Sequence, residues 1–137
     1  MKTLFIAIGM MTTVCCMSQK SIPPAVQAAF TKAYPGISVK KWDKEDGKFE
    51  ANFMKDGKSM SVTYDANGSL EETEVNMAVE ELSANIISYI KEHYKGATIK
   101  EAAMITKPNG AMMYEAELKG KDLLFDMQGK FLKEEME

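Results

Sequence analysis

The chain has 137 residues, of which 45% are hydrophobic and 27% are charged, and its formal net charge is −3. This length suits a single domain with a buried core. All 17 basic residues are lysines and 20 residues are acidic, which disfavours nucleic acid, acidic substrates and anionic lipid as partners, since nucleic-acid binders usually present a basic face with arginine forks.

The first 18 residues differ in composition from the rest of the chain. Lys2 precedes an apolar run from Leu4 to Met11, and small or weakly polar residues follow through Ser18. This pattern is typical of a secretory signal, and its apolar run is shorter than the about 20 residues that a membrane span needs. We therefore expect cleavage after Ser18, a periplasmic or secreted location, and no membrane insertion of the single domain at 19–137.

Both cysteines, Cys15 and Cys16, lie inside this leader. An alternative is that one of them is lipidated, although Thr13-Val14 before them departs from the usual lipidation sequence. Cleavage after Ser18 would remove both cysteines. The mature chain would then have no disulfide, no cysteine metal site and no cysteine nucleophile.

The first predicted helix begins near Pro23-Pro24, because proline is tolerated in a first helical turn. Pro35-Gly36 is expected to end it. Between them an apolar stripe recurs at three- and four-residue steps, formed by Val26, Ala29, Phe30, Ala33 and Tyr34.

Four strand-length runs follow as far as Val75. Asp46-Gly47, Asp56-Gly57 and Asn67-Gly68 separate them and are typical hairpin turns. Alternation of apolar and polar residues predicts strands with one apolar and one polar face. The apolar positions are Phe49, Ala51, Phe53, Met60, Val62 and Tyr64, and the polar positions include Glu50, Asn52, Ser61 and Thr63.

The same order recurs in the second half of the chain. We expect Asn76 to cap a second helix that begins near Val79 and ends at Gly96. Four more runs follow, with turns at Asn109-Gly110, Lys119-Gly120 and Gln128-Gly129.

The turn signals recur every nine to eleven residues within each half, a spacing that allows only antiparallel hairpins. A repeated order of elements indicates a tandem repeat. The sequence therefore predicts an α+β fold with two α-β4 repeats, at about 22–76 and 77–137. They are expected to share one antiparallel sheet of up to eight strands, with both helices on one face.

Trp42 is a candidate binding residue on the polar face. If Ile37 and Val39 face the core, strict alternation turns Trp42 outward, where tryptophan is a frequent binding anchor. A bulge in the strand would instead return it to the core. The candidate binding set on the polar face is Trp42, Glu50, Asn52, Ser61 and Thr63.

Catalytic motifs are missing from the sequence: it has no Gly-rich phosphate loop, no G-x-S-x-G elbow and no H-E-x-x-H helix. The single histidine, His93, falls in the last turn of the second predicted helix, where a donor or cation is favoured for structural reasons. A carboxylate row of Glu115, Glu117, Asp122 and Asp126 could form a hydrolytic pair or hard-cation site, but we interpret it as solvated. We expect no catalytic residue, no metal and no cofactor.

Several segments resemble the PepSY-like, β-lactamase-inhibitor-like periplasmic proteins of Bacteroides-type bacteria. In the first half the resemblance is carried by Ile-Pro-Pro-Ala-Val-Gln-Ala-Ala-Phe (22–30), Tyr-Pro-Gly (34–36), Val-Lys-Lys-Trp (39–42), Phe-Glu-Ala-Asn-Phe (49–53) and Val-Thr-Tyr-Asp-Ala-Asn-Gly (62–68). The second half echoes it with His-Tyr-Lys-Gly (93–96), Tyr-Glu-Ala-Glu-Leu (114–118) and Leu-Phe-Asp-Met-Gln-Gly (124–129).

The resemblance implies a secreted protein with a repeated helix-and-sheet fold. In that group the β-lactamase inhibitor protein blocks an enzyme with the open face of a comparable sheet, and PepSY modules are suspected protease inhibitors. No inhibitory residue carries over, because no segment here matches an inhibitor's contact loop.

Three functions remain open at this point. The leading hypothesis is a non-catalytic module that binds a protein through its open sheet face and inhibits or regulates an envelope enzyme such as a protease. The first alternative is a hydrolase or metal-dependent enzyme that uses the carboxylate row. The second is a structural module for assembly of envelope proteins.

Overall fold

A computed structural model describes residues 21–136 of the protein. The predicted leader at 1–18, with both cysteines, lies outside the described residues. Residues 21–136 contain no helix long and apolar enough to cross a membrane.

The described chain forms two α-helices and eight strands, with a short 3-10 turn at Val79–Glu81. Helix α1 spans Pro24–Ala33 and helix α2 spans Ala84–His93. The strands are β1 (Val39–Glu45), β2 (Lys48–Lys55), β3 (Lys58–Tyr64), β4 (Leu70–Met77), β5 (Glu101–Thr106), β6 (Met112–Leu118), β7 (Lys121–Phe125) and β8 (Phe131–Met136).

All eight strands belong to one sheet in sequence order, and each is antiparallel to the next. The two halves join where β4 pairs with β5, in a register that places Val75 opposite Met104 and Met77 opposite Ala102. The predicted antiparallel sheet of eight strands is confirmed.

Helix α1 covers the first half of the sheet. Val26 and Phe30 are buried on its inner side, as the apolar spacing predicts, and the ring of Phe30 lies edge-on to that of Phe53 with centroids 5.1 Å apart. The strand residues in this core are Trp42, Phe49, Ala51, Phe53, Val62 and Tyr64.

Helix α2 covers the second half in the equivalent way. Ile86 and Ile90 take the places of Val26 and Phe30, and they pack on Ala116 and other strand residues. The strand residues in this second core are Ala102, Ala116, Leu118, Leu123 and Phe125. Both helices therefore lie on one face of the sheet, and the predicted pair of α-β4 repeats is confirmed.

The predicted start of the second helix is wrong. Asn76 lies in β4, and the 3-10 turn at Val79–Glu81 separates that strand from α2. The helix is capped by Ser83, whose hydroxyl oxygen accepts a hydrogen bond from the backbone N–H of Ile86 at 3.4 Å. The side-chain amide of Asn76 instead donates a hydrogen bond of 3.5 Å to the carboxylate of Glu101.

Of the two placements that the sequence left open for Trp42, the core placement through a bulge is confirmed and the outward placement is wrong. The register of β1 shifts between Val39 and Lys41, so that one extra residue interrupts the alternation. Trp42 therefore pairs with Ala51 on the helix-covered face and is only 4% exposed. The bulge returns the indole to the core, because a bulge changes the face to which every later side chain points.

Candidate functional site

The candidate site is the sheet face that neither helix covers, which we call the open face. Four of the five residues predicted to bind lie together on it. Glu50 is in register with Thr63, and Asn52 is in register with Ser61, across the β2–β3 pair. The fifth residue, Trp42, lies on the opposite side of the sheet.

The open face continues across the middle of the sheet, where the two halves meet. Glu74 of β4 stands opposite Ser61 of β3 on one side and Ile105 of β5 on the other. Glu115 of β6 stands opposite Ala103 of β5. The carboxylates of both repeats are thus brought onto one continuous surface.

A hollow of about 280 Å³ lies at the centre of this face. Its walls are almost entirely polar and come from β2 to β6. They include Glu50, Asn52, Ser59, Ser61, Glu74, Asn76, Glu101, Ala103, Glu115 and Glu117.

Three apolar side chains are buried on the open face although no helix covers it. Ile105 and Leu124 are each 3% exposed, and Ala103 is similarly buried. They stand directly beside the two central carboxylates, since Ile105 is paired with Glu74 and Leu124 with Glu115. Packing around these apolar residues leaves the neighbouring Glu74 and Glu115 only partly exposed, although both still line the hollow.

The lysines near the open face form ion pairs at the margins of the hollow. Lys41 lies 2.8 Å from the Asp43 carboxylate. Lys100 lies 3.5 Å from the Glu117 carboxylate. Lys107 forms a close ion pair with Glu72, and Lys133 forms one with Glu135. Within residues 21–136, no lysine forms an ion pair with Glu50, Glu74 or Glu115.

The pKa values of Glu50, Glu74 and Glu115, which we call the central carboxyl groups, are raised above the ordinary value. Burial is the largest cause for each, and repulsion from neighbouring carboxylates adds to it. These effects raise the pKa of Glu74 to about 7 and that of Glu115 to about 8. The pKa of Glu50 is also raised, and hydrogen bonding with Asn52 and Ser61 opposes part of that shift.

The carboxylate row considered for catalysis is divided between two places. Glu115, Glu117 and Asp122 lie on the open face, with Glu117 opposite Asp122. Asp126 lies in the β7–β8 turn, where its Oδ1 accepts hydrogen bonds from the backbone N–H groups of Gln128 and Lys130, each at 2.9 Å. The described chain, 21–136, brings no three acidic, histidine or cysteine residues into a group that could hold a metal ion.

His93 has a structural environment far from the open face. Its Nδ1 lies 3.0 Å from the carbonyl oxygen of Tyr89, and the two rings are stacked with centroids 4.0 Å apart. Tyr89 in turn stacks on Phe131 of β8. These contacts agree with the structural role predicted for a residue in the last turn of α2.

Sequence reasoning missed the importance of Glu74. Glu71, Glu72, Glu74 and Asn76 together have the composition of a solvated connection, and nothing in that stretch marks one glutamate as special. The signal that could have identified it is the alternation of side chains along the strand. Thr73 and Val75 point to one face, which places Glu74 on the other face together with Glu72 and Asn76.

The fold is shared with solved structures from Bacteroides. A DUF2874 family protein from Bacteroides uniformis is 19% identical with a TM-score of 0.67, and the match covers 83% of this chain and 88% of that one. A Bacteroides eggerthii protein for which a periplasmic location has been suggested is 17% identical with a TM-score of 0.65, covering 83% and 88%. A BLIP-like protein from Bacteroides fragilis is 24% identical with a TM-score of 0.60, covering 82% and 84%.

No curated protein is significantly similar to this sequence. A family match does span most of the chain, in two overlapping parts at residues 10–72 and 48–133. Two matches of one family along one chain agree with the two structural repeats. The chain therefore belongs to the beta-lactamase-inhibitor-like, PepSY-like family.

Proposed function

We propose that this protein is a non-catalytic binding module of the periplasm, or a secreted one, that holds a partner protein on its open face. The observation that carries the proposal is the difference between the two faces of the sheet. Both helices pack on one face, and the other face presents polar side chains around a hollow of about 280 Å³. A polar face left uncovered by its own domain is available to a partner.

The size of the sheet is adequate for such an interface. Its eight strands contain five to eight residues each. With strands about 4.8 Å apart and a rise of about 3.4 Å per residue, a sheet of this kind presents roughly 750 Å². Stable interfaces bury about 800 Å² on each partner, so the open face and its rim supply enough surface.

Charge complementarity identifies the chemistry of the partner. Carboxylates outnumber lysines on the open face, and the three central ones have no lysine partner within residues 21–136. The matching surface is a loop that carries lysine or arginine side chains, because opposite potentials guide association and determine its register.

We further propose that the partner is an envelope enzyme, such as a protease, which the module inhibits or regulates. The support is the fold shared with a BLIP-like protein and the family to which the chain belongs. A periplasmic or secreted location is supported by the signal-like composition of residues 1–18, which would be removed to leave 19–137 as one domain.

The enzymatic alternative receives less support from the geometry. A catalytic carboxylate pair has to flank one reacting bond, whereas Asp126 is engaged in a turn. Glu115 and Glu117 are successive open-face positions of one strand and stand opposite Leu124 and Asp122. This arrangement is a surface, and it suits contact with a partner better than reaction chemistry.

A matched pair of threonine substitutions tests the binding face. Thr63 is half-buried on the open face and Thr31 is exposed on the outer side of α1. The partner would first be isolated from envelope extract and its affinity then measured with purified proteins. Thr63→Arg is expected to weaken binding at least roughly tenfold by adding bulk and a like charge to a cationic partner, and Thr31→Arg is expected to leave it unchanged. Equal affinities for the two variants, both folded, would reject the open face as the binding surface.

A further inference from the structure

The three central carboxylates form one electrostatic unit even though they come from both repeats. Glu50 lies on β2, Glu74 on β4 and Glu115 on β6, and all of them line the same hollow. The charge of Glu50 raises the pKa of Glu74, and the charge of Glu74 raises the pKa of Glu115. Ionisation of one member therefore disfavours ionisation of the next.

Apolar residues in register with the carboxylates lower the local dielectric constant, although the lining of the hollow itself is mostly polar. The buried side chains of Ala103 and Ile105 lie between Glu74 and Glu115 along β5, and Leu124 stands beyond Glu115. A carboxylate beside such apolar neighbours loses part of its hydration, and this disfavours the charged form. Apolar residues in register beside Glu74 and Glu115 favour the protonated form of both carboxyl groups, and this agrees with their raised pKa values.

The charges around the cluster are mostly negative. Strand β3 contributes the uncharged Ser61 and Thr63, and the hydroxyl of Ser61 favours the charged forms of Glu50 and Glu74. Every other strand contributes ionisable groups. The groups facing the cluster are Asp43 with Lys41, and Glu45, on β1, Lys48 on β2 with its partner Glu71, Glu72 on β4 with Lys107 just after β5, Glu101 on β5, Glu117 on β6 with Lys100 just before β5, Asp122 on β7, and Glu135 with Lys133 on β8.

We propose that the open face is a proton-controlled surface, whose central carboxylates hold protons in mildly acidic solution and release them in mildly alkaline solution or when a partner's cation enters the hollow. The protein then presents a less negative face at low pH and a strongly acidic face at high pH. A cationic partner binds more tightly as the pH rises, since binding and proton release are thermodynamically linked. This consequence for binding rests on the proposed function, whereas the retention of protons is a property of the free protein.

The first test measures the protons directly. Carbon-13 NMR of glutamate carboxyl groups, recorded from about pH 4 to about pH 10, covers the range in which perturbed carboxyl groups titrate. Titration midpoints near 7 and 8 are expected for Glu74 and Glu115. Glu74→Gln is expected to remove one of these and to lower the other, because it removes the strongest repulsion on Glu115.

Glu80→Gln is the matched control, since Glu80 is exposed in the 3-10 turn away from the hollow. It should leave both midpoints unchanged. Glutamates that all titrate below about pH 5.5 would overturn the proposal, whatever the protein binds.

The second test measures the effect on binding with hexalysine as the probe, at constant ionic strength because exposed charges are screened by salt. Affinity is expected to rise roughly tenfold or more between about pH 5.5 and about pH 8.5, while lysine side chains stay charged. In Glu74→Gln this rise should be smaller. Hexalysine binding that does not change with pH would overturn proton control and leave the binding face intact.

The two tests separate the two proposals. Titration midpoints near 7 and 8 without hexalysine binding at any pH would contradict the proposal of a cationic partner. They would also contradict the proposed increase of binding on proton release. Normal midpoints together with tight, pH-independent binding would contradict the proton-controlled surface alone.

Discussion

The indole ring of Trp42 lies edge-on to the ring of Phe30, with centroids 5.9 Å apart and planes inclined at 71°. This contact ties the edge strand β1 to helix α1. Trp42 is 4% exposed, and among residues 21–136 its buried Nε1–H finds no acceptor. The residue therefore contributes packing and carries the cost of one unsatisfied donor.

Replacing Trp42 with smaller side chains should separate these two contributions. Trp42→Ala is expected to lower the free energy of unfolding by about 3–5 kcal/mol, because it leaves a large cavity under α1. Trp42→Phe is expected to lower it by only about 1 kcal/mol, since it keeps an aromatic ring and removes the unsatisfied donor. Urea unfolding followed by circular dichroism would measure both.

The same variants check the assignment of Trp42 to the core. Trp42→Phe should leave partner affinity unchanged, because the residue lies on the face opposite the hollow. A Phe variant as unstable as the Ala variant would contradict the assignment of the stabilising effect of Trp42 to aromatic packing under α1.

Much of the fold could be predicted because its determinants are local. The turns at Asp46-Gly47 and Asp56-Gly57 use residues with positive φ, and the runs between them alternate with a period of two. Repetition of that pattern in the second half fixed the strand number and the side on which both helices pack.

The features that the sequence left open or missed depend on single insertions or on distant strands. A one-residue bulge between Val39 and Lys41 reverses the side chains of β1 and has no distinct signature in composition. The environment of Glu74 depends on Ser61 from one repeat and Ile105 from the other. Polar residues of the open face could be predicted strand by strand, but the juxtaposition of the central carboxylates required the register across the β4–β5 junction.

The cap of helix α2 gives a second stability prediction. Ser83→Ala should lower the free energy of unfolding by about 1 kcal/mol, because the N–H of Ile86 loses its side-chain acceptor. Asn76→Ala should have a smaller effect, since within residues 21–136 the Asn76 side chain makes only a long 3.5 Å hydrogen bond, to Glu101. Chemical denaturation of both variants would measure the difference. The reverse order would mean that the Ser83 hydroxyl contributes little to the helix cap.

The turn between β3 and β4 approaches α1 so closely that it has no room for a side chain. A Cβ added to Gly68 would lie 2.5 Å from the carbonyl oxygen of Ala25, whereas one added to Gly57 would meet nothing within 4 Å. Both glycines have positive φ values, +82° and +76°, so alanine carries a similar backbone cost of about 1–2 kcal/mol at each.

Gly68→Ala should therefore be the more destabilising of the two, by at least about 1 kcal/mol beyond the shared backbone cost. Thermal unfolding of the two single variants measures the cost of the clash with Ala25, because the backbone cost is similar in both variants and cancels in the comparison. Equal melting temperatures would mean that the turn can move away from α1 without loss, and that the contact between turn and helix contributes little to the fold.

The pH dependence of stability follows from the raised pKa values of Glu74 and Glu115, about 7 and about 8 against 4.5 for an ordinary glutamate. Below the ordinary value both folded and unfolded chains are protonated, so neither group affects the balance. As the pH rises from about 4.5, the unfolded chain releases these protons and the folded chain keeps them until about pH 7 to 8. The folded state therefore loses stability across this window, and the loss levels off above it.

One pKa unit corresponds to about 1.4 kcal/mol, so each group could remove up to a few kcal/mol of stability across the window. Glu74→Gln should flatten the decline and raise the stability of the protein near about pH 8, because it removes one buried charge and the repulsion that this charge exerts on Glu115. Glu80→Gln should retain the full decline. Urea unfolding at intervals across the window would test this. A wild-type stability that rises with pH, or a decline equally steep in Glu74→Gln, would mean that the central carboxylates are solvated and do not keep their protons above the ordinary pKa.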